Sequence, residues 1–175
     1  MDFFEVIERR RSVRVYQQRD VEQEKLLRIL EAANRAPSAG NRQAYDIILV
    51  RDPQRKWRLA QASLDQRFVT EAPVVLVFMA SPERNRSRYG QRGAQLYAVQ
   101  DATIACAYAQ LAATAEGLET CWVGAFDDDA VAAAVEAPRT MRPVAVLPIG
   151  YAAEPAVPTP RRPLKDMVQN ETVRR

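Results

Sequence analysis

The sequence predicts an α+β protein built as one domain over residues 1–175, and three observations point there. Helix-period and strand-period segments interleave along the 175 residues. The stretch "PVVLVFMA" (73–80) is an unbroken β-rich apolar run, the pattern of a strand covered on both faces. No glycine-rich turn leads from a strand into a helix in the way a dinucleotide-binding βαβ unit requires. A chain of this length, 47% hydrophobic and 27% charged, can bury one sizeable core.

The elements follow in order. Residues 3–9 are expected as a short helix, with Phe3, Val6 and Ile7 on one face and Asp2 as N-cap. A second helix starts after Asp20, with Gln23 three residues on in a capping-box pattern. Leu26, Leu27, Leu30 and Ala33 form its buried stripe, and it stops before Pro37. "APSAGNRQAY" (36–45) reads as a loop and "YDIILV" (45–50) as a strand. Residues 53–64 form a helix with Pro53 in its first turn. After the 73–80 strand, "SPERNRSRYGQRG" (81–93) is polar and glycine-bearing and reads as a mobile surface loop or lid.

Residues 94–118 form the longest helix. It is apolar around most of its circumference, hence central and buried, and Gly117 fits the position that ends it. "TCWVGAF" (120–126) is extended. "DDDAVAAAVEA" is a helix with aspartates at its N-terminus, and "PVAVLPIGY" (143–151) is a last strand that Pro143 and Pro148 place at an edge or limit in its pairing. From residue 152 the chain is proline-rich and cannot form its own core, so it must dangle or lie across another surface, a second subunit included.

Composition narrows the chemistry. No apolar run approaches the roughly 20 residues that span a bilayer. "MDFFEVIERRR" puts its basic residues after its apolar ones, the reverse of a secretory signal, so a cytoplasmic protein without a membrane partner is expected. Cys106 and Cys121 are expected as reduced, partly buried thiols, and no metal is expected. The absence of histidine excludes Ser-His-Asp and Cys-His catalysis. The net charge of +3 is interspersed and says little, whereas its local concentration says more.

Three constellations stand out. Arg10, Arg11, Ser12 and Arg14 offer planar donor forks and a hydroxyl suited to a phosphate, or else a solvated basic helix end. Arg161 and Arg162, some 150 positions away, can converge on the same anion. Ser38, Asn41 and Gln43 suit the edge of a heterocycle, or cap their own connection. Gly124 admits close backbone approach of a planar ligand, or marks a bulge.

Taken together and in order, "RRSVRVY", "APSAGNRQAY", "EAPVVLVF", "AVQDATIACAYAQLAATAEGLETCWVGAF" and "RRPL" resemble the FMN-dependent nitroreductase family across nearly the whole chain. The resemblance implies a three-layer α/β/α fold around a mixed, mainly antiparallel sheet. It implies a homodimer with FMN in two clefts between subunits and an exchanged C-terminal tail over 152–175. Arg10, Arg11, Ser12 and Arg14 match the phosphate and ribityl side, and Arg161 or Arg162 closes on the phosphate. Pro37, Ser38, Ala39 and Asn41 match the loop lent by the other subunit. Gln66 matches a position near the pyrimidine edge of the ring, and Val123 and Gly124 match the backbone facing flavin N5. The chain departs from the family in having Gln43-Ala44-Tyr45 where Gln-Pro-Trp is common, and in a compact 81–93 segment.

The activity implied is electron transfer from NAD(P)H through FMN to a nitroaromatic, quinone or similar acceptor in ping-pong fashion, with arginines of 84–92 available to hold the nicotinamide cofactor. Alternatives are a specialised flavin reaction on the same cradle (dehalogenation, flavin breakdown, biosynthetic dehydrogenation) or, from another class, an arginine-rich nucleic-acid-binding protein; on the family reading no nucleic acid is bound.

Overall fold

The computed structural model describes residues 1–173; Arg174 and Arg175 at the end of the expected tail lie outside the described residues. The helices are α1 (Phe3–Arg9), α2 (Gln23–Asn34), α3 (Pro53–Ala62), α4 (Phe68–Glu71), α5 (Pro82–Arg92), α6 (Ala98–Ala115) and α7 (Asp128–Ala134). The strands are β1 (Tyr45–Val50), β2 (Val74–Ala80), β3 (Glu119–Thr120) and β4 (Arg142–Gly150). They form one sheet in the order β1-β2-β4-β3, every neighbouring pair antiparallel. A parallel bridge between Ser12 and Thr120 adds the mixed element.

Strand β2 explains the layering. All seven of its residues are buried, and alternation sends them to opposite faces. Val74, Leu76, Phe78 and Ala80 pack with Leu26 and Ile29 of α2 and with Ala102, Ala105 and Ala109 of α6. Val75, Val77 and Met79 pack with Leu59 of α3, Val69 of α4 and Val131 of α7. Helix α6 ends as its sequence demands: Gly117 has φ +74, and the Gly117 and Leu118 amides donate to Thr114 and Ala113, a Schellman closure.

Several expectations need correction. Helix α2 has Glu22, not Asp20, at its N-cap and no capping box; the box forms at α1, where Asp2 accepts from Phe4 and Glu5 amides and Glu5 accepts from the Asp2 amide. The Glu22 carboxylate is instead taken by the Tyr151 hydroxyl at 2.6 Å and Arg19 at 2.8 Å. Ile29 rather than Leu27 completes the α2 stripe, since Leu27 is 52% exposed.

The 81–93 segment is helix α5, not a loop, and runs through Gly90 (φ +58) into a π-turn over Gly93–Tyr97 before α6. The reason is packing. Asn85, Gly93 and Ala94 are buried, and Asn85 donates to Asp101 of α6 at 2.9 Å. Strand β4 is interior, not an edge. Pro143 sits opposite Met79, where the β2 register shifts, and Val146 exchanges both backbone bonds with Val123. Pro148, two residues on, faces the same side, where pairing lapses between Thr120 and Val123 and no amide is needed.

Candidate functional site

Helix α1 closes at Arg10, whose amide donates to Val6. Beyond it the chain is extended and pinned under β3 and β4. The Val13 amide donates to Thr120, Val13 and Tyr16 are buried, and the Tyr16 hydroxyl donates to the carbonyls of Val13 (2.9 Å) and Pro148 (3.4 Å). Burial, aided by Cys121 and Glu119, drives the Tyr16 phenol far above its ordinary pKa, so it stays a neutral donor. This anchoring leaves the arginines between the buried residues on the outer side.

There they line a cavity of about 490 Å³ that contains Arg10, Arg11, Ser12 and Arg14 from the N-terminal segment and Arg161 from the tail, with Glu154 on the same wall. Among the described residues no carboxylate forms an ion pair with Arg10, Arg14 or Arg161. Arg11 is turned back onto the helix end, donating to the carbonyls of Glu8 and Arg10. Arg162 is likewise drawn aside, donating to the Asp166 carbonyl at 2.6 Å within a turn of the tail.

Beneath the cluster lies Glu119, which sequence reasoning missed. Its Oε2 is buried without a hydrogen-bond partner. Burial raises its pKa, opposed by Arg9, Arg10, the Arg11 backbone amide and the Arg11 charge. Among the described residues Glu119 forms no ion pair with those arginines. Its signal in the sequence was an acidic residue directly before the apolar "TCWVGAF".

Gln66 and the 123–125 segment meet nearby. The turn after α3 passes through Leu64 and Asp65, both at positive φ. It brings the Gln66 side-chain amide to the carbonyls of Ser63 (2.9 Å) and Ala125 (3.5 Å). Val123 is buried on β4, while Gly124 is exposed, and a Cβ there would touch only the Trp122 ring. The chain's own packing thus does not demand glycine at 124. Arg14 links the two groups, its guanidinium carbon 5.9 Å from the ring centre of Phe68 in α4.

The 37–41 loop stands apart. Pro37, Ser38 and Ala39 line a different cavity of about 520 Å³, against Tyr97, Asp101 and Ile104. Asp101, another residue not singled out from the sequence, organises it. Buried within α6, it accepts from the amides of Ala39 (2.8 Å) and Ala44 (3.3 Å) and from Asn85. Its signal was a lone acid in an otherwise apolar helix. Ser38 Oγ accepts from the Gln43 amide, and Asn41 Oδ1 accepts from the Gln43 side chain, so both polar groups hold the loop's shape. Gly40, Asn41 and Gln43 all take positive φ. Within one chain, then, Arg10, Arg14 and Arg161 converge, Gln66 joins the 123–125 segment, and the 37–41 loop lies in its own cavity.

The model of the Nitroreductase family matches residues 7–69 and 63–151. The chain belongs to the nitroreductase family. It is similar to a protein named NADH dehydrogenase from Thermus thermophilus, 34% identical over 91% of each chain. A protein named FMN reductase [NAD(P)H] from Bacillus subtilis is 30% identical over 93% of this chain and 70% of its own length. Among solved structures, NfrA2 of B. megaterium superposes with a TM-score of 0.91 at 26% identity, covering 99% of this chain and 76% of that one.

Proposed function

We propose that this chain works as a homodimer that carries electrons from NAD(P)H through FMN to an electron-poor organic acceptor such as a nitroaromatic or quinone, by a ping-pong route. Family membership makes it a flavin-dependent NAD(P)H oxidoreductase with FMN as cofactor. The observation that carries the proposal is that Arg10, Arg14 and Arg161, from opposite ends of the sequence, line one cavity while forming no ion pair among the described residues. That donor set fits a phosphate monoester, which takes planar forks of charged N–H groups, with the Ser12 hydroxyl beside them.

When bound, FMN supplies the two-electron chemistry that a histidine-free chain does not supply through its own side chains. The protein binds and orients. Gln66 offers a side-chain amide beside the 123–125 backbone, where it can meet the polar edge of a ring. Val123, locked to Val146 by two backbone bonds, holds that backbone still. One cleft then serves reductant and acceptor in turn, which is the basis of the ping-pong expectation.

The dimer rests on the separation of the 37–41 loop from the arginine cavity, since a loop lent by a second copy completes the cleft. Phe3, Phe4 and Ile7 on α1 and Leu164, Met167 and Val168 on the tail are exposed apolar groups for a partner to cover. Among the described residues no helix is long and apolar enough to cross a membrane. The test is an absorption spectrum of the purified protein with sedimentation of the coloured species. Flavin bands on a particle of two chains are expected. A protein that stays colourless after incubation with FMN, or a flavin-loaded monomer, refutes the proposal.

A further inference from the structure

Helix α5 carries four arginines, and among the described residues two of them form ion pairs. Arg84 pairs with Asp46 at 2.9 Å and donates to the carbonyls of Gln43 and Tyr45. Arg86 pairs with Glu83 at 2.9 Å and reaches Gln91. Arg88 and Arg92 form no ion pair with a carboxylate among the described residues. Both lie against aromatic rings instead. The Arg88 guanidinium carbon is 5.4 Å from the Tyr89 ring centre, and that of Arg92 is 5.6 Å from the Tyr97 ring centre, with Arg92 Nε donating to the Tyr97 hydroxyl at 3.1 Å.

The two rings form an edge-to-face pair, 5.3 Å between centres. This arginine–tyrosine group borders the 37–41 loop. Tyr97 is a wall of the 520 Å³ cavity. At Gly40 a Cβ would fall 2.3 Å from the Tyr89 hydroxyl and 3.1 Å from Arg88 Nη1, so the bare glycine lets the pair rest directly on the loop. The acid in that cavity, Asp101, has both carboxylate oxygens engaged by the Ala39 and Ala44 amides and Asn85, and does not neutralise the arginines.

Two guanidiniums without a carboxylate partner among the described residues, beside two aromatic rings, suit a ligand with a phosphate and a purine. We propose that Arg88 and Arg92, with Tyr89 and Tyr97, receive the 2′-phosphoadenosine end of NADPH and make this chain selective for NADPH over NADH. The proposal rests on the reading above that NAD(P)H is the reductant. A guanidinium fork meets the 2′-phosphate bidentately, whereas NADH presents only a hydroxyl there. The rings supply an aromatic surface for the adenine.

The test uses the flavin-loaded full chain and two readouts. Calorimetric titration with adenosine 2′,5′-bisphosphate and with 5′-AMP is expected to show the bisphosphate binding roughly tenfold or more tighter. In Arg88→Ala and Arg92→Ala that preference should be lost, and Arg86→Ala should keep it, because Arg86 is paired with Glu83. In rapid-mixing reduction, the same two variants should need roughly 10–100-fold more NADPH for half-saturation at an unchanged limiting rate, with NADH barely affected. Arg88→Lys should restore part of the NADPH preference, since it returns the charge without the fork. Equal binding of the two nucleotides by the parent, or equal losses for NADPH and NADH, overturns the proposal. So does flavin loss confined to Arg88→Ala or Arg92→Ala. A parent that binds no flavin at all sinks the underlying reading instead, and the bisphosphate titration still judges the arginine site.

Discussion

Four arginines crowd residues 9–14 and four more occupy 84–92, yet the fold commits them differently. In the first group, among the described residues, only the Arg11 side chain donates hydrogen bonds, to main-chain carbonyls at the end of α1, and none closes an ion pair. In the second, Arg84 and Arg86 close ion pairs with Asp46 and Glu83 and fasten α5 to β1 and to itself. What differs is the acid that neighbouring elements present. Strand β1 brings the Asp46 carboxylate within 2.9 Å of Arg84 on the surface. Beneath the N-terminal group stands Glu119, whose burial favours its neutral form. A guanidinium in a sequence therefore reveals its charge but not its commitment, which depends on which carboxylate packs beside it and in what dielectric.

The largest expected effect tests what holds the second region together. Asp101 alone satisfies two loop amides and the Asn85 side chain. Asp101→Ala should cost about 3 kcal/mol, the scale for stranding buried donors of a charged acceptor, read from urea denaturation. A loss below about 1 kcal/mol would mean that the 37–44 loop is held by something else.

Next comes the contrast itself. Arg10→Ala should weaken FMN binding by one to two decades, about 1.5–3 kcal/mol, in a fluorescence-quenching titration. Arg84→Ala should leave FMN affinity within about twofold, because its partner is Asp46. Equal losses in both variants would erase the distinction drawn between the two groups.

The smallest effect concerns two glutamates with opposite environments. Burial raises Glu119 above its ordinary value of 4.5, so the folded state holds that proton more tightly than the unfolded state. Its contribution to stability therefore declines as pH rises from the unfolded value through the raised folded one, and Glu119→Gln should remove that slope. Glu22 runs the other way. The Tyr151 hydroxyl, its own backbone amide and Arg19 lower it to about 2, so its stabilisation is present above its ordinary 4.5 and fades as pH falls toward 2. Stability measured from pH 2 to 8 in Glu119→Gln and Glu22→Gln should show slopes of opposite sign relative to the parent. Parallel curves would break the contrast.

Much of the fold was legible because its signals are local. The buried strand at 74–80, the helix start at Pro53 and the Gly117 stop each depend on backbone preference or periodicity within a few residues. Helix α5 was hidden because Gly90, Gly93 and repeated arginines resemble a loop. The helix starts with Pro82 and Glu83 in its first turn, and the burial of Asn85 and Ala94 supplies the packing that holds it. The interior position of β4 was hidden because proline argues for an edge, and only pairing with β2 and β3 shows how Pro143 and Pro148 escape that rule.

The candidate site divides along the same line. Residue types and their order were enough to single out Arg10, Arg14, Gly124 and the polar residues of the 37–41 loop and to suggest the family, whose resemblance in turn pointed to Gln66, because phosphate and heterocycle recognition require particular donors. That Arg161 rather than Arg162 lines the cavity with Arg10, that Glu119 lies beneath it, and that Asp101 braces a separate loop were decided by tertiary structure alone. Those residues are brought together from positions far apart in the sequence, 57 and 62 apart for the two amides on Asp101 and farther for the arginine cavity. Their energies depend on burial and on which carboxylate or carbonyl arrives first, and neither quantity exists until the chain has folded.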